Sequence, residues 1–242
     1  MRFAILGDIH GNLDALQVVL ADAEKEQVTN YVSVGDVVGY GPNPKECLQI
    51  IRDQLKCPIV KGNHDELASQ DNSTLSFNHL AAEAIAWTRD RLDEEDKTFL
   101  RELRFVRLVE DFTLVHSTLD MPNRWGYVFD RLAAASSMSY QSTSVCFFGH
   151  THVPLAFIRE GSVRTERDWD TVEVKPGCRY FINVGSVGQP RDGNPKTAYV
   201  IYDTAEHRVH LKRLDYDIPA VQRKIHAAGL PEKLAARLAL GK

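Results

Sequence analysis

Five short apolar stretches of the sequence are each followed by Asp, Asn or His side chains, which are common ligands of metal ions in proteins. These side chains are far apart in the sequence, but they would form a metal site if the fold brought the ends of the stretches together. His64 adds an imidazole that could transfer a proton near neutral pH. The candidate ligands are Asp8, His10, Asp36, Asn63, His116, His150 and His152.

Each motif also has a purely structural explanation when it is considered alone. Asp8 and His10 could form a turn or cap a helix. Gly62–Asp65 could form an Asx turn, and His116 could be a hydrogen-bonded histidine near the core. Gly149–His152 is more specific, because two histidines separated by one residue are unusual in a surface turn. Taken together, such side chains after five predicted strands favour a metal site.

The apolar stretches have the length and the β-branched and aromatic content of buried strands. Helical spacing between the early strands predicts helices over 12–25, with Asn12 as a candidate cap, and over 44–56. Strands that alternate with helices are typical of a largely parallel sheet, where ligands bind beyond the carboxyl ends of the strands. We therefore expect the candidate ligands to meet at one edge of the sheet. The predicted strands are residues 3–6, 31–34, 58–60, 112–115, 145–148 and 181–184.

The rest of the sequence predicts further helices and a group of hairpin strands. Helical spacing runs from about residue 75 to residue 103, with a break near Asp93. The last segment predicts one or two helices over 218–240, interrupted near Gly229–Pro231. Because no linker or repeat is evident, we expect a single domain over residues 1–242, with residues 218–242 as a C-terminal helical extension. The predicted hairpin strands are residues 154–157, 172–174, 197–202 and 209–214.

The composition indicates a globular protein without a membrane span. The 242 residues suffice for one α/β domain, and 43% of them are hydrophobic and 26% charged. No run of about 18 apolar residues occurs. The first residues do not resemble a secretory signal, so we expect a cytoplasmic protein with its four scattered cysteines reduced. The net charge of −4 disfavours a broad nucleic-acid surface.

Five motifs together resemble the signature of the calcineurin-like metallophosphoesterases, in the same order and with similar spacing. They are Gly7–Asn12, Gly35–Asp36, Gly62–Asp65, His116 and Gly149–His152. The later stretch Asn183–Arg191 resembles a compact bacterial and archaeal phosphodiesterase-like branch of the family. The resemblance covers about residues 1–203. It implies an α/β fold, a four-layer α-β-β-α sandwich in which helices flank two facing sheets.

The resemblance also implies a dinuclear metal centre that hydrolyses phosphate esters by attack of a metal-bound hydroxide. Asp36 would bridge the two ions, and His64 would give a proton to the leaving group. Imidazole and oxygen ligands together suit Mn²⁺, which we expect, and also Fe, Zn²⁺, Ni²⁺ or Co²⁺, rather than Ca²⁺. Asp8, His10 and His152 would hold one ion, and Asn63, His116 and His150 the other.

The sequence departs from the phosphoprotein phosphatases of this superfamily after the second motif. Those enzymes carry an Asp-Arg pair that supports the catalytic His and binds phosphate, whereas Gly39 and Tyr40 occupy these positions here. A Ser/Thr protein phosphatase is therefore disfavoured, and Asp65 becomes a candidate to orient His64. Side chains that could contact substrate by stacking or by binding phosphate are Tyr40, Asn43, Trp125, Tyr127 and Arg191.

The sequence thus predicts a metal-dependent phosphodiesterase or phosphatase that acts on a phosphorylated small molecule or a nucleotide. A nuclease on DNA or RNA is an alternative, but it needs a basic channel, and the sequence has no dense basic cluster. A non-catalytic metal-binding scaffold is a further alternative, which the complete set of ligands disfavours. The oligomeric state is left open.

Overall fold

The structure is a computed structural model that describes residues 1–70 and 79–242. This part of the chain contains eleven strands and eight α-helices. The strands are β1 (Arg2–Leu6), β2 (Asn30–Ser33), β3 (Val106–Val109), β4 (Phe112–Val115), β5 (Val145–Phe148), β6 (Ala156–Glu160), β7 (Ser162–Glu166), β8 (Thr171–Glu173), β9 (Arg179–Asn183), β10 (Thr197–Asp203) and β11 (Arg208–Leu214). The helices are α1 (Leu13–Lys25), α2 (Pro44–Gln49), α3 (Asn63–Ala68), α4 (His79–Arg89), α5 (Glu94–Glu102), α6 (Arg131–Met138), α7 (Ile218–Ala227) and α8 (Glu232–Leu238). A π-helical turn, Ile50–Gln54, extends α2.

The strands form two mixed sheets. One sheet has the strand order β2-β1-β10-β11-β8, and the other has the order β3-β4-β5-β9-β6-β7. Parallel pairing joins β1 to β2, β4 to β5 and β5 to β9, whereas the other neighbouring strands pair antiparallel. The prediction of a largely parallel sheet is therefore wrong. Many of the later strands pair antiparallel, as β6 and β7 do. Parallel pairing is limited to β9 and to the strands that precede the candidate ligands, β1, β2, β4 and β5.

The two sheets face each other, and helices cover their outer sides. Successive side chains of a strand point to opposite faces. Phe3 and Ile5 of β1 therefore pack against the second sheet, where Phe3 meets Phe112 with ring centroids 5.1 Å apart. Leu6 points the other way and packs with Leu16 of α1. Helix α6 covers the outer side of the second sheet. The four-layer α-β-β-α sandwich is thus confirmed.

Most of the predicted helices and strands are present. Helix α1 begins after Asn12, whose side chain accepts a hydrogen bond from the backbone of Ala15 at 3.1 Å. The predicted strand at 58–60 is reduced to a single parallel bridge between Ile59 and Ser33. Pro58 has no N–H to donate, which limits pairing there.

Four elements were not predicted, namely β3, β7, α3 and α6. β3 has the sequence Val-Arg-Leu-Val, in which an arginine interrupts the apolar residues, and three of its four residues are exposed. The first residues of the predicted helix over 75–103, residues 75–78, lie outside the described residues. No helix of the described chain is both long and apolar enough to cross a membrane.

The two C-terminal helices pack beside the loops that carry the candidate ligands. Apolar side chains of α4, α7 and α8 form one buried cluster with Tyr40. The indole of Trp87 on α4 donates a hydrogen bond to the carbonyl of Ala228 at 2.8 Å. The predicted interruption is present, because α7 ends at Ala227 and α8 starts at Glu232.

Candidate metal centre

The structure brings the candidate ligands together at one edge of the two sheets. Asp8 and His10 follow β1, and Asp36 follows β2 in the first sheet. In the second sheet, His116 follows β4, and His150 and His152 follow β5. Asn63 is the first residue of α3. All seven side chains are buried. Three overlapping groups have potential ligand atoms within 4.8 Å of one another: Asp8 with His10 and His152, His10 with Asp36 and His64, and Asp8 with Asp36 and His116.

Backbone hydrogen bonds hold the ligand-bearing loops of the first sheet together. The N–H of Asp8 donates to the carbonyl of Gly35 at 3.1 Å, and the N–H of His10 donates to the carbonyl of Asp36 at 3.0 Å. The hydroxyl of Ser186, just beyond β9, donates to the carbonyl of Asp8 at 2.7 Å. These contacts fix the loops after β1, β2 and β9 relative to one another, so the carboxylates cannot move independently.

Much of the strained backbone of the molecule is concentrated at this centre. Among the described residues, eleven non-glycine residues have a positive φ, and seven of these belong to the candidate ligands or line the adjoining cavity. Such conformations are unfavourable for residues with a Cβ and persist where the surrounding structure enforces them, often at functional sites. The seven residues are Asp8, His10, Asp36, Tyr40, Trp125, His150 and His152.

Backbone carbonyls fix the orientation and the tautomer of the four histidines. A carbonyl oxygen can only accept a hydrogen bond, so the ring nitrogen that faces it must carry the proton. In the neutral rings of His10 and His152, Nε2 then directs its lone pair into the centre, as in metal sites whose outer contacts orient the ligands. The contacts are His10 Nδ1 to Val38 O at 3.0 Å, His116 Nδ1 to Val34 O at 2.8 Å, His152 Nδ1 to Gln189 O at 2.6 Å and His150 Nε2 to Trp125 O at 2.9 Å.

One group of ligands surrounds Asp8. Burial lowers the pKa of both His10 and His152 well below the ordinary value, so these imidazoles are neutral at neutral pH. Their Nε2 atoms are only 3.1 Å apart, and His152 Nε2 is 3.2 Å from Asp8 Oδ1. Two unprotonated nitrogens and a carboxylate oxygen at such distances repel one another unless a cation lies among them. The donor set therefore fits a divalent transition metal.

A second group surrounds His116. Its Nε2 lies 3.1 Å from the amide oxygen of Asn63 and 3.4 Å from Asp36 Oδ2. The same Asp36 oxygen lies 3.7 Å from His10 Nε2, so it stands between the two groups. Burial acts to raise the pKa of Asp36, but His116 and His64 outweigh this effect and hold it well below the ordinary value. The residues present therefore fit a second ion beside the first.

Both carboxylates lie against glycines that leave no space for a side chain. Asp8 accepts hydrogen bonds from the N–H of His150, at 3.2 Å to Oδ1 and 3.0 Å to Oδ2. A Cβ on Gly149 would lie 2.3 Å from Asp8 Oδ2. Asp36 Oδ1 accepts a hydrogen bond from the N–H of His64 at 2.8 Å, and a Cβ on Gly62 would lie 2.0 Å from that oxygen. The glycines of these motifs therefore allow the close approach of the two carboxylates.

Asp65 organises the loop that carries Asp36 and does not orient His64. Its carboxylate accepts hydrogen bonds from the N–H groups of Asp36 at 2.7 Å, Val37 at 3.0 Å and Gly62 at 3.0 Å. Burial and the nearby Asp36 raise the pKa of Asp65 to about 7. The suggestion that it orients His64 is therefore wrong, because its oxygens are engaged with the backbone. A buried polar residue inside a motif gives no sign in the sequence of which partner it contacts.

The imidazole of His64 is enclosed by neighbouring rings and by Gly39. Its ring centroid lies 4.4 Å from that of Tyr40 and 4.8 Å from that of His10. A Cβ on Gly39 would lie 2.5 Å from His64 Nδ1, so the ring occupies the space that a side chain at position 39 would need. A side chain at position 39 would therefore displace the His64 ring. Burial lowers the pKa of His64 to about 4.

A cavity of about 290 Å³ opens beside the candidate ligands. Four of the five candidate substrate contacts line it, and Arg124, which was not proposed, lines it as well. Asn43 lies elsewhere, since its amide donates to the carboxylate of Glu46 at 3.0 Å. Asn43 therefore does not line this cavity, and its expected contact with substrate stays a prediction. The lining residues are Asp36, Tyr40, Asn63, His64, Arg124, Trp125, Tyr127, His150, His152 and Arg191.

Comparison with known proteins identifies the class of protein that this fold and site define. Residues 1–207 match the calcineurin-like phosphoesterase superfamily domain, and the chain belongs to that family. It is therefore a hydrolase of phosphate esters, from a metal-dependent family.

Two relatives match almost the whole chain, and a third matches about half of it. A metallophosphoesterase from Sphaerobacter thermophilus has 39% identity and a TM-score of 0.90, and the match covers 100% of this chain and 99% of that chain. An uncharacterised protein of Methanocaldococcus jannaschii is 35% identical over 99% of this chain and 98% of its own length. A symmetrical bis(5'-nucleosyl)-tetraphosphatase of Glaesserella parasuis is 30% identical, over 48% of this chain and 44% of that protein.

The contact between Gly149 and Asp8 gives a test of the centre that does not depend on activity. We expect Gly149→Ala to lower Mn²⁺ affinity by about 10- to 100-fold, as is typical when the support of a metal ligand is lost. The physical reason is the clash of the new methyl group with Asp8 Oδ2. Isothermal titration calorimetry measures the affinity, and circular dichroism checks the fold.

Gly161→Ala is the matched control for this change. Gly161 lies in the β6–β7 turn, and a Cβ there has no atom within 4 Å, although its positive φ adds strain. Its Mn²⁺ affinity should equal that of the wild type. An unchanged affinity in a folded Gly149→Ala variant would contradict the proposed position of Asp8 in the centre.

Proposed function

We propose that this chain is a dinuclear metal-dependent phosphoesterase whose substrate is a phosphorylated small molecule or a nucleotide. The proposal is carried by one observation, namely that His10 and His152 are neutral, are protonated at Nδ1 and direct their Nε2 lone pairs at the buried carboxylate of Asp8. We assign one ion to Asp8, His10 and His152, whose ligand atoms lie close together. We assign the other to Asn63, His116 and His150, because the His116 ring lies beside both the Asn63 amide and the His150 ring. Asp36 would contribute to holding both ions, because its Oδ2 lies near both His10 and His116 while its Oδ1 accepts the N–H of His64.

The chain's own residues position and protonate the reacting groups. Two divalent ions, when bound, supply an activated water and neutralise charge on the phosphoryl oxygens. Mn²⁺ is the proposed metal, because the donor set combines imidazole with carboxylate and amide oxygens. His64 lines the cavity, and we assign it the proton that the leaving oxygen needs. A phosphate held beside its imidazole favours the protonated form and so opposes the effect of burial.

The wall of the cavity supports a substrate with an aromatic or heterocyclic group. The ring of Tyr127 stacks on His150 at 4.3 Å between centroids, and Phe129 lies parallel to Tyr127 at 5.8 Å. Tyr127 and Phe129 are both exposed, so a base could stack on this surface. Arg191 lines the cavity and carries a guanidinium that suits a phosphate. The similarity to a bis(5'-nucleosyl)-tetraphosphatase agrees with a nucleotide substrate.

The same proposal treats the chain as one domain. Helices α7 and α8 share a buried cluster with Tyr40, which lines the cavity. Residues 218–242 are therefore proposed as a helical extension that belongs to the catalytic unit.

Asp36→Asn tests the dinuclear proposal. After metal removal and addition of Mn²⁺, the wild type should hydrolyse bis(p-nitrophenyl) phosphate and p-nitrophenyl phosphate. The variant should lose at least about 10³-fold in kcat, because an amide cannot supply the charge that couples two metal ions. Absorbance of the released p-nitrophenolate measures both rates. Asn43→Asp, a change of the same two residue types outside the cavity, should keep full activity. Metal-independent turnover would contradict the proposal.

His64→Ala separates proton donation from metal binding. We expect kcat to fall by about 10²- to 10⁴-fold while two metal ions per chain are retained, because His64 transfers a proton and is not an assigned ligand. Elemental analysis gives the metal content, and steady-state kinetics with an alkyl phosphate ester gives kcat. His79→Ala, on the exposed start of α4, is the matched control. Full activity of His64→Ala would remove His64 from the mechanism.

A further inference from the structure

Asn183, the last residue of β9, is a fully buried amide that has no part in the proposed mechanism. It begins the stretch Asn183–Arg191, which contains none of the assigned metal ligands. In the parallel pairing of β5 with β9, Asn183 lies opposite Phe148, just before the turn that carries His150 and His152. Its side chain is therefore next to a short turn that supplies one histidine to each of the two proposed ions.

Both polar atoms of the Asn183 side chain have hydrogen-bond partners. The N–H of Gly185 donates to Oδ1 at 2.9 Å, and this contact identifies that atom as the oxygen, because a backbone N–H can only donate. The amide nitrogen then donates to the carbonyl of Gly149 at 2.6 Å and to the hydroxyl of Thr151 at 3.0 Å. Asn183 thus bonds to the residues immediately before and after His150.

The turn that Asn183 contacts has a strained backbone. His150 and His152 have φ angles of 68° and 59°, in the left-handed region that residues with a Cβ disfavour. Within the turn, the N–H of Thr151 donates to the carbonyl of Gly149 at 2.8 Å. Such a turn keeps its shape only where the surrounding structure enforces it, and Asn183 supplies contacts on both sides of His150.

Other contacts of the same stretch reach ligands of the first ion. The carbonyl of Gln189 accepts a hydrogen bond from His152 Nδ1, and the hydroxyl of Ser186 donates to the carbonyl of Asp8. Asn183 differs from these two residues, because its contacts lie on either side of a ligand of the second ion and also precede His152. A change at Asn183 should therefore affect both ions.

We infer that Asn183 is a positioning residue for both metal ions, because it holds the turn from which His150 and His152 reach them. This inference rests on the proposed function, since it uses the assignment of one histidine to each ion. Without the amide, the buried carbonyl of Gly149 loses a hydrogen bond and the strained turn can relax. Both imidazoles then leave the positions in which they would bind the ions.

Asn183→Leu removes the amide and keeps a side chain of similar size. We expect the affinity for both Mn²⁺ ions to fall by about 10- to 100-fold, as is typical when an outer contact of metal ligands is lost. Titration calorimetry measures the affinities, and the electron paramagnetic resonance signal of free Mn²⁺ gives the number of ions bound. Because every assigned ligand is still present, saturating Mn²⁺ should restore hydrolysis of bis(p-nitrophenyl) phosphate to near the wild-type rate. Turnover that stays low at saturating Mn²⁺ would contradict a role in positioning the ligands.

Gln141→Leu is the matched control, because Gln141 is a second buried amide at the opposite end of the same two strands. Its amide nitrogen donates to the carbonyls of Thr143 at 3.0 Å, Ser144 at 3.3 Å and Tyr180 at 3.0 Å. Loss of these bonds should lower the unfolding temperature but leave the affinity for Mn²⁺ unchanged. An equal loss of affinity in both variants would show that Asn183 acts only through stability, and would overturn the inference.

Thr151→Val provides a second test that applies even if Asn183→Leu does not fold. It removes the hydroxyl that accepts from Asn183 and keeps the volume of this buried side chain. Both Mn²⁺ ions should bind more weakly than in the wild type, by a smaller factor than in Asn183→Leu. Unchanged affinity in a folded Thr151→Val variant would overturn the inference.

The binding measurements separate failure of this inference from failure of the proposed function, because they require no catalysis. If the wild type binds two Mn²⁺ ions and hydrolyses neither p-nitrophenyl ester, the proposed function fails, and the affinities of the variants still decide the role of Asn183. If the esters are hydrolysed and Asn183→Leu binds Mn²⁺ like the wild type, the inference alone fails. A wild-type chain that binds no Mn²⁺ would overturn both.

Discussion

The burial of Asp8 and Asp36 among four histidines is the interaction on which the rest of the site depends. Both carboxylates are almost fully excluded from water, and a buried charge is costly unless it is paired or bound to a metal. The surrounding imidazoles differ in whether they carry a positive charge that could compensate the carboxylates. Burial keeps His10 and His152 neutral, whereas Asp36 outweighs burial at His116 and raises its pKa to about 9. A pair of divalent cations would compensate both carboxylates at once, which is why we place the metals between them.

The architecture supports this arrangement through the loops that follow parallel strands. Loops after β1, β2, β4 and β5 end at the same edge of the sandwich, and backbone hydrogen bonds connect those of the first sheet. The close approach of the loops forces left-handed backbone at Asp8, His10 and Asp36, and it needs glycine at positions 62 and 149. These strained conformations lower the stability of the fold at the proposed functional site. The interleaved aromatic core between the sheets holds the loops in position.

The sequence was sufficient to predict which residues come together, because each candidate ligand directly follows an apolar stretch. It could not predict the strand order. The antiparallel pairing of β10 with β1 joins segments that are far apart in the sequence, and such a contact leaves no local pattern. The exposed strand β3 was missed for a similar reason, since its residues do not alternate between buried and exposed positions.

Several contacts within the site also could not be predicted from the sequence motifs. The engagement of Asp65 with three backbone N–H groups depends on how the loop after β2 folds back onto α3. The contact of Gly39 with His64 is visible only when both are placed in space. Long-range packing, rather than local spacing, decides both contacts.

The central claim is that two metal ions lie on either side of Asp36, and anomalous X-ray diffraction from crystals grown with Mn²⁺ tests it most directly. Data collected at the manganese absorption edge should give two peaks about 3.5–4 Å apart. One peak should lie among Asp8, His10 and His152, the other among Asn63, His116 and His150, and Asp36 Oδ2 should lie between them. A single peak, or two peaks away from these side chains, would contradict the account.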